Sequence, residues 1–485
     1  MIEARIVKRR WYRFQFRLRT LLLLTLLVSI GMSFFAVRMK RVVAQREVVA
    51  RMNKVCGDGA CFWYEYLEWA ERFVPEWLHS ALGEDFFGDV VGVTIAGSAD
   101  GEKPVADDRL QYLHALPRLR ELDFPDANFT RKALQDLGRL TSLERLSLDR
   151  ARLGGGDLKF LEGLTRLKLL RLRAAGISDS SLESVTRLAG LEHLDLRDNA
   201  ITDAGLARLR PLLRIKVLKL GNNPCISDGG LEDVGGMAEL KEIDLSRTAV
   251  TDEGLRHIAR LTPLAELDLS GTGVAAEGLR RLAPLSKLEV LSLRGTRVRD
   301  EALVHLARLI NLRWLDLGNT EISGEGLSHL GSLSRLRCLD LADTELAGDH
   351  LACLRTIPGL RSLNLSRTKI GDDGLKSLES LPDLQYLILQ GTRLSRQGLP
   401  YLERVHNLRV LVVGGTSIGS AGAAELVKAL PKCLIWGLKV NEDRRGPIGR
   451  PGSWGRRLRS RAGFEPLLDT LDFLAVEPGP PGALP

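Results

Sequence analysis

A leucine pattern that recurs every 24 residues is the feature that most constrains the fold of this 485-residue chain. Eleven of the twelve steps between copies are 24 residues long, and one step of 25 falls in residues 221–228, "GNNPCISD", where a loop is expected to bulge. A fixed period of this length is typical of a solenoid, in which stacked repeats bury one another's apolar residues. Aligned on L-x-x-L-x-L, the thirteen copies begin at Leu119, Leu143, Leu167, Leu191, Ile215, Leu240, Leu264, Leu288, Leu312, Leu336, Leu360, Leu384 and Leu408.

Each repeat combines two periods. Leu267 and Leu269 alternate with acidic residues, which predicts a short strand with a period of two. Leucines then recur at every third position over residues 279–285, which predicts a helical or 3₁₀ turn. At the corner between strand and helix, we expect Thr251 or Asp252 to cap the helix start by accepting backbone N–H bonds.

Both ends of the array have candidate terminal strands. The spacing of 24 residues between Ile95 and Leu119 predicts a first strand within residues 89–97, in register with the repeats. A last strand is predicted within residues 430–436. The repeat array is therefore expected to span residues 89–440, with about thirteen full repeats and these end strands.

The segment after the array has a different composition. Residues 441–485 are rich in arginine, glycine and proline, which predicts a disordered basic tail. Within it, residues 464–477, "FEPLLDTLDFLAVE", can form a short amphipathic helix that docks elsewhere, although a loosely ordered tail is the favoured interpretation.

The N-terminus has the composition of a membrane segment. Residues 20–37 carry no charged side chain and would form a helix of about 27 Å, close to the thickness of a hydrocarbon core. A basic and aromatic segment, residues 1–19, precedes this run, and Arg38 ends it. We therefore predict a transmembrane signal-anchor helix over residues 20–37, followed by a juxtamembrane helix and capping region over residues 38–88.

A cleaved signal peptide is the alternative to an anchor. The anchor is favoured because no cleavage site of small residues closes the apolar run. Seven Lys/Arg precede the run and six follow it up to residue 57, so flanking charge hardly distinguishes the two orientations. A long downstream domain crosses largely regardless of such charges, so we predict a cytoplasmic N-terminus and extracytoplasmic repeats.

Charge and motifs exclude several function classes. Residues 1–54 hold 13 Lys/Arg and 2 Asp/Glu, whereas residues 55–440 hold 49 and 53, so the array lacks the basic surface of a nucleic-acid-binding protein. No catalytic, phosphate-binding or zinc motif is present, which predicts a protein that is not an enzyme and needs no cofactor or metal. Four residues that share one repeat slot are too far apart to bind a metal together, namely His257, His305, His329 and Cys353.

Two cysteines near the capping region leave two alternatives open. Cys56 and Cys61 flank the four residues "GDGA". They can close a small disulfide loop if this region is extracytoplasmic. Two free thiols are an equally good interpretation.

The repeat "LKEIDLSRTAVTDEGLRHIARLTP", residues 240–263, resembles the leucine-rich repeat, with threonine where many members carry asparagine or cysteine. Together with the basic N-terminus and its apolar run, the chain resembles bacterial membrane-anchored leucine-rich repeat proteins over most of residues 1–436. It more distantly resembles F-box leucine-rich substrate adaptors. The resemblance implies a curved α/β solenoid, with parallel strands on the concave face and short helices on the convex face, and in general a binding role.

The third and fifth residues of L-x-x-L-x-L are expected to point away from the core, because the leucines beside them point inward. These positions are our candidate partner-binding residues. Trp314 and Tyr386 are the predicted anchors, since exposed aromatic side chains on a strand face are typical of interaction sites. The aspartates have a second interpretation as generic repeat residues, and Ile388 can instead be covered by the tail. The candidates are Arg145, Arg171, Lys219, Glu242, Asp244, Glu266, Asp268, Trp314, Asp316, Asp340, Tyr386, Ile388 and Val410.

The sequence therefore predicts a non-enzymatic protein–protein interaction scaffold at the cell envelope, with a protein partner. A substrate adaptor of the F-box type and a protein that binds wall polysaccharide are the alternatives. The adaptor is less favoured because residues 1–54 have the composition of an anchor instead of an F-box-like helical module.

Overall fold

The computed structural model of the chain describes residues 2–56, 60–66, 88–95, 110, 112–154 and 158–437. It divides into two units, Met1–Leu240 and Lys241–Pro485, each of which has its own internal packing. The predicted tail, residues 441–485, and the predicted amphipathic helix within it lie outside the described residues.

The first unit begins with one long helix, α1, which runs from Ile2 to Cys56. The predicted anchor helix and the predicted juxtamembrane helix are therefore continuous. Within the described residues, only this helix, over Leu21–Asn53, is long and apolar enough to cross a membrane, with a mean hydropathy of 2.1. The side chains of residues 21–37 are exposed, and burial begins at Arg38.

The strands of the first unit are β1 to β7. Strands β1 and β2 are antiparallel, and this pairing was not predicted. Strands β2 to β7 are parallel to one another in sequence order. Their bounds are Ala60–Tyr66, Gly88–Ile95, Glu121–Asp123, Arg145–Ser147, Leu169–Arg171, His193–Asp195 and Val217–Lys219.

The predicted register of the first strand is wrong. Val93, and not a residue 24 positions before Leu122, lies opposite Leu122. The offset between paired residues is thus 29, five more than the prediction that aligned Ile95 with Leu119. The reason is that the first connection contains five residues more than a standard repeat, so counting back by 24 fails there.

The strands of the second unit, β8 to β16, are all parallel, and each third residue of L-x-x-L-x-L lies opposite the third residue of the next repeat. The last strand pairs Ile435 with Leu411, as predicted. The bounds of these strands are Glu242–Asp244, Glu266–Asp268, Val290–Ser292, Trp314–Asp316, Cys338–Asp340, Ser362–Asn364, Tyr386–Ile388, Val410–Val412 and Leu434–Trp436.

Short helical segments follow most strands, as the three-residue leucine spacing predicts. The α-helices after α1, here α2 to α10, span Arg131–Leu137, Leu182–Val185, Asp203–Arg208, Leu231–Val234, Leu255–Ile258, Ala276–Arg281, Asp372–Leu375, Leu399–Glu403 and Gly419–Ala429. The 3₁₀ segments span Lys159–Gly163, Asp179–Ser181, Asp300–Arg308, Glu325–Ser332, Gly348–Thr356, Lys376–Ser380 and Arg396–Gly398.

The core of each unit consists of the repeat leucines. Leu264, Leu267 and Leu269, at positions one, four and six of one repeat, are all fully buried. The buried threonine that follows, Thr272, donates its hydroxyl to the Leu269 carbonyl oxygen over 2.6 Å. This bond gives an otherwise unpaired buried carbonyl a donor, which explains why threonine recurs in this slot.

The 25-residue repeat accommodates its extra residue in the loop, as predicted. Asn223 and Ile226 are both fully buried, while Cys225 between them is exposed. The Asn223 amide donates to the Leu196 and Leu220 carbonyl oxygens over 3.0 and 2.8 Å. The core contacts on both sides of the insertion are thereby kept, and only the intervening loop is longer.

Candidate functional site

The third positions of the second unit form a continuous column, which, together with the fifth positions, we call the strand face of this unit. Trp314 lies between Val290 and Cys338 on the neighbouring strands. Tyr386, three strands further along, has Val410 as its next neighbour. All of these side chains are half-buried. The two predicted aromatic anchors thus lie on one surface, about 14 Å apart at the usual strand spacing.

The fifth-position aspartates are mostly buried and have a structural role. Asp244, Asp316 and Asp340 are only 5%, 7% and 8% exposed. Their carboxylates accept the backbone N–H of the residue two positions later, over 2.9, 2.8 and 2.8 Å. The half-buried Asp268 makes the same bond to Ser270 over 2.8 Å. These bonds cap the strand ends, which supports the interpretation of these aspartates as generic repeat residues.

Two of these aspartates lie side by side in neighbouring strands. Asp316 is paired in register with Asp340, and Arg294 approaches them to 3.9 and 3.8 Å. Burial, and then the charge of Asp340, raises the pKa of the Asp316 carboxyl to about 7. Burial also raises the pKa of Asp340. Near neutral pH this pair therefore carries less than its full double negative charge.

The third-position glutamates differ from the aspartates. Glu242 is half-buried, and Glu266, its neighbour in register, is exposed. Among the predicted acidic residues, these two offer the most carboxylate surface to a partner.

The apolar part of the strand face continues to the last strand. Ile388 and Val410 are half-buried, whereas Leu434 and Trp436 are 56% and 40% exposed. Leu434 lies opposite Val410, so it extends the third-position column. The sequence analysis omitted Leu434 and Trp436 as site residues, although their spacing of 24 from Val410 and Val412 was visible.

The predicted basic residues of the first unit are largely neutralised by neighbours. Arg145 is exposed and lies 3.9 Å from Glu121 on the adjacent strand. Arg171 lies 2.8 Å from Asp149. Lys219, the last predicted member, is half-buried. Because these arginines already have carboxylate neighbours, this zone is less suited than the aromatic zone to act as a strong site.

The second half of α1 packs on the first strands of the array. Its residues recur every three or four positions with buried side chains: Arg38, Val42, Gln45, Val48 and Met52. α1 contacts both β1 and β2.

Two polar contacts fix α1 against β2. A guanidinium nitrogen of Arg38 lies 2.5 Å from the carboxylate of Asp89, and both side chains are buried. The Gln45 amide donates to the Gly88 carbonyl oxygen over 3.3 Å and accepts the Val90 N–H over 3.0 Å. The residue at which the apolar run ends is thus part of the folded N-terminal cap.

The structure also bears on the cysteines and on metal binding. Cys61 is a free, exposed thiol, which favours the free-thiol alternative, while the side chain of Cys56 lies outside the described part. Among the described residues, no group of three or more His, Cys, Asp or Glu side chains is arranged to hold a metal ion.

Two family models match parts of the chain. One, described as "Leucine Rich repeat", matches residues 191–209, 239–259 and 359–378, and the other, described as "Leucine Rich Repeat", matches residues 311–333. No curated protein sequence matches the chain.

Solved structures share the fold. The chain is similar to an internalin from Listeria monocytogenes, with 20% identity, a TM-score of 0.52, and coverage of 69% of this chain and 93% of that chain. It is also similar to a chain of the mouse RP105/MD-1 complex, with 17% identity, a TM-score of 0.52, and coverage of 70% and 57%. At such identities the likeness concerns the fold alone. The predicted leucine-rich repeats are confirmed, and the fold is a leucine-rich-repeat solenoid with one candidate transmembrane helix at its N-terminus.

Proposed function

We propose that this protein is a non-enzymatic protein–protein interaction scaffold, held at the cell envelope by α1. Repeat solenoids present extended surfaces that typically bind other macromolecules. The similar mouse chain was solved as a complex of RP105 with MD-1. A protein partner is therefore the most economical assignment for a chain with this fold.

The half-buried aromatic pair Trp314 and Tyr386 is the observation that carries this proposal. Neither slot requires a bulky group, because the equivalent positions hold Ser362 and Cys338 in other repeats. An aromatic side chain there gains little for the fold, but it can contribute about 2 kcal/mol or more when a partner buries it. Val410 and Ile388 extend this proposed site, while Glu242 and Glu266 form its acidic end.

Anchoring by α1 is the second part of the proposal. A cleavage site just after the apolar run would lie within a continuous helix. The residues that follow, including Arg38, Val42 and Gln45, are buried against the cap and are poorly accessible to a peptidase. This supports an anchor over a cleaved signal, with the N-terminus in the cytoplasm and the repeats outside it.

The orientation and the anchor can be tested together in bacterial cells that express the chain. Protease added to spheroplasts is expected to digest the repeats, and the membrane fraction should retain residues 1–37. Full protection of the repeats would reverse the orientation. A soluble chain beginning near residues 38–45 would instead identify a cleaved signal.

Partner binding is tested with Trp314→Ala combined with Tyr386→Ala in the full-length protein. A partner is first identified by proximity labelling in the producing cell, and its Kd is then measured. We expect the double variant to weaken binding at least tenfold, equivalent to about 1.4 kcal/mol, while Tm hardly changes.

A matched control removes exposed apolar surface from the 3₁₀ side of the same unit. Val304 and Ile310 are 44% and 54% exposed there. Val304→Ala with Ile310→Ala is expected to leave the Kd unchanged. If the aromatic variant binds as well as this control, the site lies elsewhere.

A further inference from the structure

The second positions of L-x-x-L-x-L form another column, directly before the third-position column. In the first unit this column alternates in sign, through Arg120, Glu144, Lys168, Glu192 and Lys216. Glu144 lies 2.8 Å from the Lys168 ammonium and 3.9 Å from the Arg120 guanidinium, and Glu192 lies 2.7 Å from that of Lys216. These neighbours lower the pKa of Glu144 and Glu192. The column of the first unit thus neutralises itself.

The same column in the second unit does not. It contains four arginines, which we call the arginine column: Arg313, Arg337, Arg361 and Arg409. Glu289 lies 3.3 Å from Arg313, but in the described part of the chain no carboxylate forms an ion pair with the other three. Arg337 donates only to backbone carbonyl oxygens, such as that of Leu336 over 3.0 Å.

The arginine column is continuous along the sheet. Backbone N–H groups of Arg337, Arg361, Gln385 and Arg409 donate to the carbonyl oxygens of Arg313, Arg337, Arg361 and Gln385 over 2.9, 2.7, 2.9 and 2.8 Å. Neighbouring strands lie about 4.8 Å apart. Like charges facing one another across strands destabilise a sheet. A column of this kind is best explained by an acidic group that covers it.

The strand face beside the arginine column is apolar. Its third positions include Trp314, Tyr386, Val410 and the exposed Leu434. The exposed Trp436 adds to this surface at the last described strand. A ligand that matches both columns carries carboxylates and apolar side chains together, which is the chemistry of an acidic amphipathic peptide.

We propose that residues 464–477 of this same chain occupy the strand face of the second unit and pair with the arginine column. This segment, "FEPLLDTLDFLAVE", contains four acidic and no basic residues, with apolar residues between them. Its acidic residues are Glu465, Asp469, Asp472 and Glu477. The inference rests on the proposed function, because the segment would cover the surface assigned to the partner and would have to be displaced for binding.

The length of the intervening chain permits this contact. Strand β16 ends at Trp436, on the same face, and residues 438–463 provide 26 connecting residues. A flexible chain of that length has a root-mean-square span of about 28 Å. Five strand spacings, from β16 back to β11, are about 24 Å. The effective concentration of the segment is then on the order of 1 mM, so even a weak contact is populated.

The contact is tested in the full-length protein in detergent micelles, without any partner. The photo-crosslinking residue p-benzoylphenylalanine replaces Tyr386, and the crosslinked peptides of the monomer are identified by mass spectrometry. His193, which is half-buried in the third position of the first unit, is the matched control site. We expect the 386 probe to capture residues 464–477 at least about fivefold more than the 193 probe, in line with the millimolar effective concentration.

Charge variants test the pairing itself. Neutralising the segment (E465Q, D469N, D472N and E477Q) should reduce this crosslink about fivefold, as should Arg361→Gln with Arg409→Gln, since partly screened ion pairs are each worth up to about 1 kcal/mol. The exposed Arg308 and Arg355, on the 3₁₀ side of the unit, are the control pair. Arg308→Gln with Arg355→Gln should change nothing.

Several outcomes would overturn the inference: equal capture by both probes, capture only between two copies, capture of a different segment, or insensitivity to the charge variants. These results are independent of the partner assay. Partner binding that is lost in the aromatic variant, without any intramolecular crosslink, leaves the proposed function standing and removes the inference. A crosslink without loss of partner binding has the opposite meaning.

Discussion

The carboxylate of Asp252 occupies the space that a side chain at Gly278 of the next repeat would need. Its Oδ1 accepts the Ala275 N–H over 2.7 Å, and a Cβ added to Gly278 would lie 2.4 Å from that oxygen. The same relationship joins Asp179 to Gly205, Asp203 to Gly230 and Asp372 to Gly398. Where the aspartate slot holds Ala276 or Gly324, the next repeat carries Ala302 or His350 instead of glycine. The "TDxGL" motif therefore records a contact between successive repeats.

This contact predicts non-additive mutations. Gly278→Ala is expected to destabilise the protein by about 1–3 kcal/mol through steric overlap, and Asp252→Ala by about 1–3 kcal/mol because buried N–H groups lose their acceptor. The double variant should cost clearly less than the sum, since removing the carboxylate makes room for the methyl group. Denaturant unfolding of all three variants measures the coupling. Ala302→Gly is the control, at about 1 kcal/mol or less, and additive costs would show that the two residues do not compete for space.

Neighbouring residues on opposite sides of the sheet are expected to respond differently to truncation. Leu315 is fully buried, so Leu315→Ala should destabilise the protein by about 2–5 kcal/mol through lost burial and the cavity left behind. Trp314→Ala removes a half-buried group from the strand face and should leave Tm nearly unchanged. Thermal unfolding followed by circular dichroism compares the two, and equal losses would mean that Trp314 belongs to the core.

Ionisation of Asp316 is expected to weaken the fold as the pH rises. Its folded pKa of about 7 lies above the ordinary value of 3.8, so between these values the folded state keeps a proton that the unfolded state has released. The stability conferred by this proton is present at low pH and is lost as the pH rises through about 7. Asp316→Asn removes the titration, and Asn364 already fills the same slot and accepts the Ser366 N–H over 3.0 Å. The Tm of the variant relative to the wild type should therefore increase from pH 5 to pH 8, and a constant difference would contradict this assignment.

The ion pair between Arg38 and Asp89 predicts that α1 and the cap are energetically coupled. Arg38→Met leaves a buried carboxylate with Arg118, 3.2 Å away, as its remaining cation, and should cost about 3 kcal/mol. Arg38→Met combined with Asp89→Leu should recover much of that loss, because an apolar pair needs no compensation. Hydrogen exchange of β2, measured on the full chain in detergent, follows the cap. If exchange in the single variant matches the wild type, α1 does not stabilise β2 through this pair.

Local periodicity was sufficient to predict the thirteen repeat strands, the buried leucines and the apolar N-terminal helix, because each depends on residues a few positions apart. It also identified Trp314 and Tyr386 as strand-face residues. The same alternation placed Asp316 and Asp340 on that face but did not reveal their burial between neighbouring strands.

The sequence by itself determined the repeat length, the core and the solenoid class, because a 24-residue apolar period leaves a stacked arrangement as the way to bury every leucine. The tertiary structure decided which groups meet across repeats. We expected Thr251 or Asp252 to cap the local helix; Thr251 contacts the Glu253 N–H over 3.4 Å, whereas Asp252 binds the following repeat. The antiparallel strand β1, the register of β2 and the docking of α1 likewise depend on contacts between distant residues. Such contacts are set by how elements stack in space, and no local period encodes that distance.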